Sequence, residues 1–127
     1  VELNEALHQH LRQRFPGVWM ACADAGALAQ VAQHMGYLEG GPVDAVVSGL
    51  GLLSMGRATQ KRILSSAFKV LRPGGHFIQF TYGPAQPVSS EVAEDLGLVA
   101  QRRGMALWNI PPATVWVYTR PGEPPSA

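Results

Sequence analysis

Val70-Leu71-Arg72-Pro73-Gly74-Gly75-His76-Phe77-Ile78-Gln79-Phe80 constrains the fold more than any other stretch of this chain. Upstream of it, Ile63, Leu64, Ala67, Phe68 and Leu71 recur at helical spacing, so residues 57–71 read as an amphipathic helix. Pro73-Gly74-Gly75 ends that helix, because proline cannot continue it and glycine turns the backbone without steric cost. His76 to Tyr82 then reads as an apolar strand. Before the helix, Ala45 to Val47 is a short apolar run, as a strand buried on both faces should be. Strand, helix, turn, strand is one crossover of a parallel sheet, and the expected class is α/β.

The flanks extend the same pattern. Val1-Glu2-Leu3 reads as the end of a strand, and Asn4 to Arg14 as a helix with Asn4 as its N-cap. Pro16-Gly17 stops it. Val18 to Ala23 is a second short strand with Asp24 at its tip. Ala25 to His34 follows as a helix that turns Leu28, Val31, Ala32 and Met35 inward, and residues 36–42 form a loop. Beyond Tyr82, Val88 to Leu96 reads as a short helix closed by Gly97. Leu98 to Leu107 and Thr114 to Thr119 are expected to close the sheet as an antiparallel pair. Residues 1–120 form one domain on this reading, and Pro121 to Ala127 a disordered polar tail.

A chain of 127 residues that is 46% hydrophobic can bury a real core. Its net charge of +1 does not mark a nucleic-acid binder, and nucleic acid is an unexpected partner. Between Asp44 and Glu91 there is no acid, while Arg57, Lys61, Arg62, Lys69 and Arg72 all fall there, which gives that segment +5. Such a face suits phosphate or an anionic membrane surface. The plainer alternative is a solvated helix face balanced by acids elsewhere in the fold. The single cysteine, Cys22, excludes an internal disulfide and is expected in the core. No apolar run approaches the roughly 18 residues that span a bilayer, and a cytoplasmic location is expected, with peripheral membrane contact as an option. The histidines lack metal-ligand spacing, so no metal is expected, and neither a nucleophile elbow nor a P-loop is present.

Ligands of open parallel sheets bind outside the carboxyl ends of the strands. That rule selects Glu2, Asp24, Ser48-Gly49-Leu50 and Tyr82. A carboxylate at a strand end can accept both hydroxyls of a ribose, and a second one strand later can accept an exocyclic amine. Asp24 is equally an N-cap for the helix that starts at Ala25. Tyr82 can face a quaternary ammonium group through its ring or simply pack at the core's rim.

Several of these stretches carry a resemblance. Val1-Glu2-Leu3-Asn4, Ala23-Asp24-Ala25 and the LRPGG turn look like motifs of class I S-adenosylmethionine (AdoMet)-dependent methyltransferases. The blocks Val43 to Leu50, Gln79-Phe80-Thr81-Tyr82-Gly83-Pro84 and Asn109-Ile110-Pro111-Pro112-Ala113 resemble the bacterial phospholipid N-methyltransferases, which act on phosphatidylethanolamine. The resemblance implies a partial Rossmann-like sheet, mostly parallel, with an antiparallel C-terminal strand pair. It implies AdoMet as cofactor, Glu2 on its ribose, and Asp24 with the Ala25 backbone on its adenine. Ser48, Gly49 and Leu50 fall between cofactor and acceptor, and Tyr82 and Asn109 on the acceptor side.

There are two departures from the family pattern. Gly51 stands where the family usually has proline, and no first strand with its Gly-rich loop is found within residues 1–127. The chain is therefore expected to be a truncated domain that binds AdoMet weakly and hides open strand edges by forming a homo-oligomer. Two other functions compete with this one. One is a catalytically dead remnant serving as an interaction module. The other is an RNA adenine methyltransferase, against which Ser48-Gly49-Leu50-Gly51 counts because it offers neither a side-chain amide nor an aromatic ring.

Overall fold

The structure is a computed structural model and describes residues 1–106, 108 and 112–121. Helix α1 (Glu5–Arg14) begins at Asn4, whose side chain accepts from the Leu7 amide, as its position implies. A single 3₁₀ turn (Ala25–Ala27) leads into α2 (Leu28–His34). Strand β1 (Val43–Ser48), helix α3 (Arg57–Val70) and strand β2 (Leu71–Tyr82) form the crossover. Helix α4 (Ser90–Asp95) and strands β3 (Val99–Ala106) and β4 (Ala113–Thr119) complete the fold.

The sheet has the order β1-β2-β4-β3. β1 and β2 are parallel, while β4 runs antiparallel to both β2 and β3. The α/β class and the closing antiparallel pair thus stand as expected. Two strands do not. Residues 1–3 and 18–23 meet only in one parallel bridge, Glu2 opposite Cys22. The parallel share of the sheet is correspondingly small. Cys22 is exposed rather than in the core, because its segment lies outside the main sheet.

Pro73-Gly74-Gly75 also behaves differently from a turn. β2 starts directly at the end of α3, and the pairing jumps from Val43–Leu71 to Ala45–His76. Arg72 to Gly75 is therefore a bulge inside the strand. Gly74 has φ +76°, and a Cβ on Gly75 would lie 2.8 Å from the Arg72 carbonyl oxygen and 3.1 Å from that of Asp44. Both glycines are required by the backbone itself.

The core lies on one face of the sheet. Ile63, Leu64, Ala67 and Phe68 of α3 pack with Phe77, Tyr118, Val92 and Leu98. The ring centroids of Phe77 lie 6.4 Å from those of both Phe68 and Tyr118. Tyr118 is fully buried, accepts from the Val88 amide at 3.3 Å, and has its hydroxyl pKa raised by burial. Strand alternation sends Val47, Phe80 and Tyr82 to the opposite face, where they are 77%, 39% and 55% exposed. No helix among the described residues is long and apolar enough to cross a membrane.

Candidate functional site

The chain leaves β1 at Ser48 and crosses residues 49–56 to reach α3. This loop is held from beneath by two buried glutamines. Gln79 Nε2 donates to the Leu50 carbonyl at 2.7 Å and to that of Phe80 at 2.8 Å. Gln60 Nε2 donates to the Leu52 carbonyl at 2.7 Å, while Gln60 Oε1 accepts from the Ser89 amide at 2.8 Å. Ser48 Oγ accepts from the Leu50 amide at 3.2 Å. A loop of this kind has little freedom to reorganise on binding.

Above the loop lies a cleft of about 320 Å³, lined in part by Glu2, Ala25, Ser48, Gly49 and Leu50. Five of the six residues assigned to the cofactor from the sequence therefore come together. Leu28, Val46, Ile63, Ala67 and Phe77 give the cleft an apolar floor, and among the described residues no lysine, arginine or histidine lines it. Glu2 Oε1 accepts from the Asn4 amide at 3.0 Å, which leaves Oε2 without a partner among the described residues. A second cleft of about 220 Å³ shares Val1, Leu28 and Val46 with the first and runs between the N-terminal bridge and β1.

Asp24, the sixth residue, lies outside these walls. Its Oδ1 caps the 3₁₀ turn by accepting from the Gly26 amide at 2.6 Å. Arg62 donates to Oδ1 at 3.0 Å and to Oδ2 at 3.4 Å. The Gly26 bond, then the Arg62 bond, hold the carboxyl below its ordinary pKa. Asp24 thus serves as the N-cap the sequence allowed, and it also ties the turn to α3. Tyr82 is on the helix-free face, edge-on to Phe80 at 5.1 Å. Asn109 lies outside the described residues.

Four of the five cations of the acid-free segment have carboxylate partners. Arg57 pairs with Glu91, Lys61 with Asp95, Arg62 with Asp24 and Arg72 with Asp44. Acids from the flanks thus fold back onto α3 and onto the start of β2. Among the described residues no cluster of His, Cys, Asp or Glu could hold a metal ion.

The sequence reading missed Gln60 and Gln79. The signal was available: each is a polar residue on a stripe that is otherwise apolar, Gln60 ahead of Ile63 and Leu64, and Gln79 in phase with Phe77.

Comparison with known proteins identifies the class of fold. An rRNA methylase, so designated, from Clostridium thermocellum superposes with a TM-score of 0.55 at 17% identity, over 91% of this chain and 68% of that one. An O-methyltransferase family protein from Burkholderia thailandensis gives 0.52 at 14% identity, over 94% of this chain and 41% of that one. The chain has a partial Rossmann-like fold of the methyltransferase type. No protein-family model and no curated protein sequence matches it.

Proposed function

We propose that this chain is the cofactor-and-acceptor part of an AdoMet-dependent N-methyltransferase domain, with phosphatidylethanolamine as acceptor. The observation that carries the reading is the gathering of Glu2, Ala25, Ser48, Gly49 and Leu50 in one cleft beside the carboxyl end of β1. Its walls fit the nucleoside half of AdoMet. Glu2 Oε2 is free to accept from a ribose hydroxyl, and the apolar floor suits a purine face. The zwitterionic half finds no basic side chain there. When bound, the cofactor supplies an electrophilic methyl on a sulfonium; the loop after β1 positions the acceptor amine and keeps water out. The phospholipid acceptor rests on the resemblance of the VVSGL, QFTYGP and N-x-P-P-A blocks.

Calorimetric titration with S-adenosylhomocysteine tests the cofactor assignment. The expected dissociation constant is on the order of 0.1–1 mM, or about 4–5.5 kcal/mol, with loss of binding in Glu2→Ala. Absence of heat at millimolar ligand would overturn it. Labelled-methyl transfer to phosphatidylethanolamine vesicles and to rRNA then separates the acceptors. Transfer to RNA alone would refute the phospholipid assignment. Transfer to neither substrate, with binding retained, would favour the remnant that acts only as an interaction module.

A further inference from the structure

Gln79 is fully buried on the helix-covered face of β2, opposite Ser48 on one side and Trp116 on the other. An apolar side chain of similar volume would fill that position without desolvating an amide. The glutamine is not retained by a saturated network either, since its Oε1 is buried without a described partner. What the position gains is a grip on the loop: Gln79 holds the Leu50 carbonyl while Ser48 Oγ holds the Leu50 amide. Leu50 is thus fixed at both of its backbone polar groups by side chains from two neighbouring strands. The same loop contributes Ser48, Gly49 and Leu50 to the cleft.

We infer that Gln79 is a positioning residue of this cleft: by clamping Leu50 it sets the backbone of Ser48-Gly49-Leu50 against a bound nucleoside. The inference rests on the cleft being the cofactor site. It adds that affinity on the β1 side is governed from β2, by a residue that touches no ligand. Gln79→Met removes the donor and keeps the volume, and Gln79→Glu keeps the shape but replaces a donor with an acceptor.

Both variants should bind S-adenosylhomocysteine about tenfold more weakly, the loss of one ordering hydrogen bond. Amide hydrogen exchange should quicken about tenfold across residues 49–52 and stay unchanged in β3 and β4. Faster exchange throughout the sheet, with affinity unaltered below the melting range, would show a merely structural role and overturn the inference. If neither variant folds, the wild-type side-chain amide resonances of Gln79 decide. They should move when the cleft is saturated with S-adenosylhomocysteine, and their failure to move overturns the clamp's link to the ligand. Absence of binding by the wild type defeats the cofactor reading. Unchanged exchange at residues 49–52 in the variants defeats the clamp by itself.

Discussion

Arg62 on α3 reaches both carboxylate oxygens of Asp24, at 3.0 and 3.4 Å, across a separation of 38 residues in sequence. Gly26 makes this approach possible, because a Cβ there would lie 2.6 Å from the Arg62 guanidinium carbon. One carboxylate therefore caps a turn, docks that turn onto the longest helix and sets the Ala25 wall of the cleft.

The pair predicts a pH dependence. Asp24 has a folded pKa below its ordinary value of 3.8, chiefly through the Gly26 hydrogen bond and then through Arg62. The unfolded chain thus binds a proton first as pH falls, so this stabilisation is complete above the unfolded pKa and is lost on descent through the folded one. Asp24→Asn keeps a capable N-cap but cannot titrate. Urea midpoints of wild type and Asp24→Asn should differ most at neutral pH and converge as the pH falls from 3.8 through the lowered pKa of the folded state. A constant difference down to pH 2 would contradict the assignment.

The bulge in β2 predicts unequal costs for neighbouring glycines. A methyl group on Gly75 would strike backbone on two sides, at 2.8 and 3.1 Å, whereas the nearest atom to one on Gly74 is a flexible arginine nitrogen at 3.6 Å. Gly75→Ala should cost about 1–3 kcal/mol by overpacking, and Gly74→Ala about 1 kcal/mol for its positive φ alone. Chemical denaturation of the two single variants gives the comparison. Equal losses would mean that the bulge relaxes around Gly75.

These sites show what was legible in the sequence. The α3 stripe and the closing strands carry strong periodicity, and their faces appear where the pattern places them. The acid-free run from Arg57 to Arg72 is legible too, but its meaning depends on Glu91, Asp95, Asp24 and Asp44, which the fold brings from a distance. Val1–Leu3 and Val18–Ala23 have strand composition, yet a strand is made by its ladder partners, and here they meet in one bridge. Glu2 and Ser48 to Leu50 are singled out by the rule that open sheets bind at strand ends, whereas Ala25 is reached only through the family resemblance. Asp24 satisfied the same rule but also a local one, capping, and the local bond is present in the structure.

The cleft's composition predicts its selectivity. On the proposed cofactor reading Glu2 and an apolar floor would serve a nucleoside, and among the described residues no lysine, arginine or histidine of the walls would meet its carboxylate. S-adenosylhomocysteine and 5′-methylthioadenosine should therefore bind within about threefold of each other, a difference under about 0.7 kcal/mol. Glu2→Ala should weaken both by about 1–3 kcal/mol, as for a lost hydrogen bond to a charged group. A preference of a hundredfold for the amino-acid-bearing ligand would require a basic side chain that the described residues of these walls do not supply.

Strand β1 predicts association. It pairs with β2 along one edge, and among the described residues no strand covers the other. Val47, 77% exposed, stands on the helix-free face together with Phe80 and Tyr82. Open strand edges beside apolar side chains are templates for pairing, and a lysine on such an edge blunts it. A stable dimer needs about 1,200–2,000 Å² of total buried surface, so the edge has to be joined by part of this face rather than act alone. Size-exclusion chromatography with light scattering should show a concentration-dependent dimer or higher oligomer for the wild type. Val47→Lys should shift the equilibrium toward monomer without lowering the unfolding free energy by more than about 0.5 kcal/mol, the usual range for an exposed position. A wild-type chain that remains monomeric at millimolar concentration would mean that the open edge and its apolar neighbours are tolerated in water, and the expectation of self-association would fall.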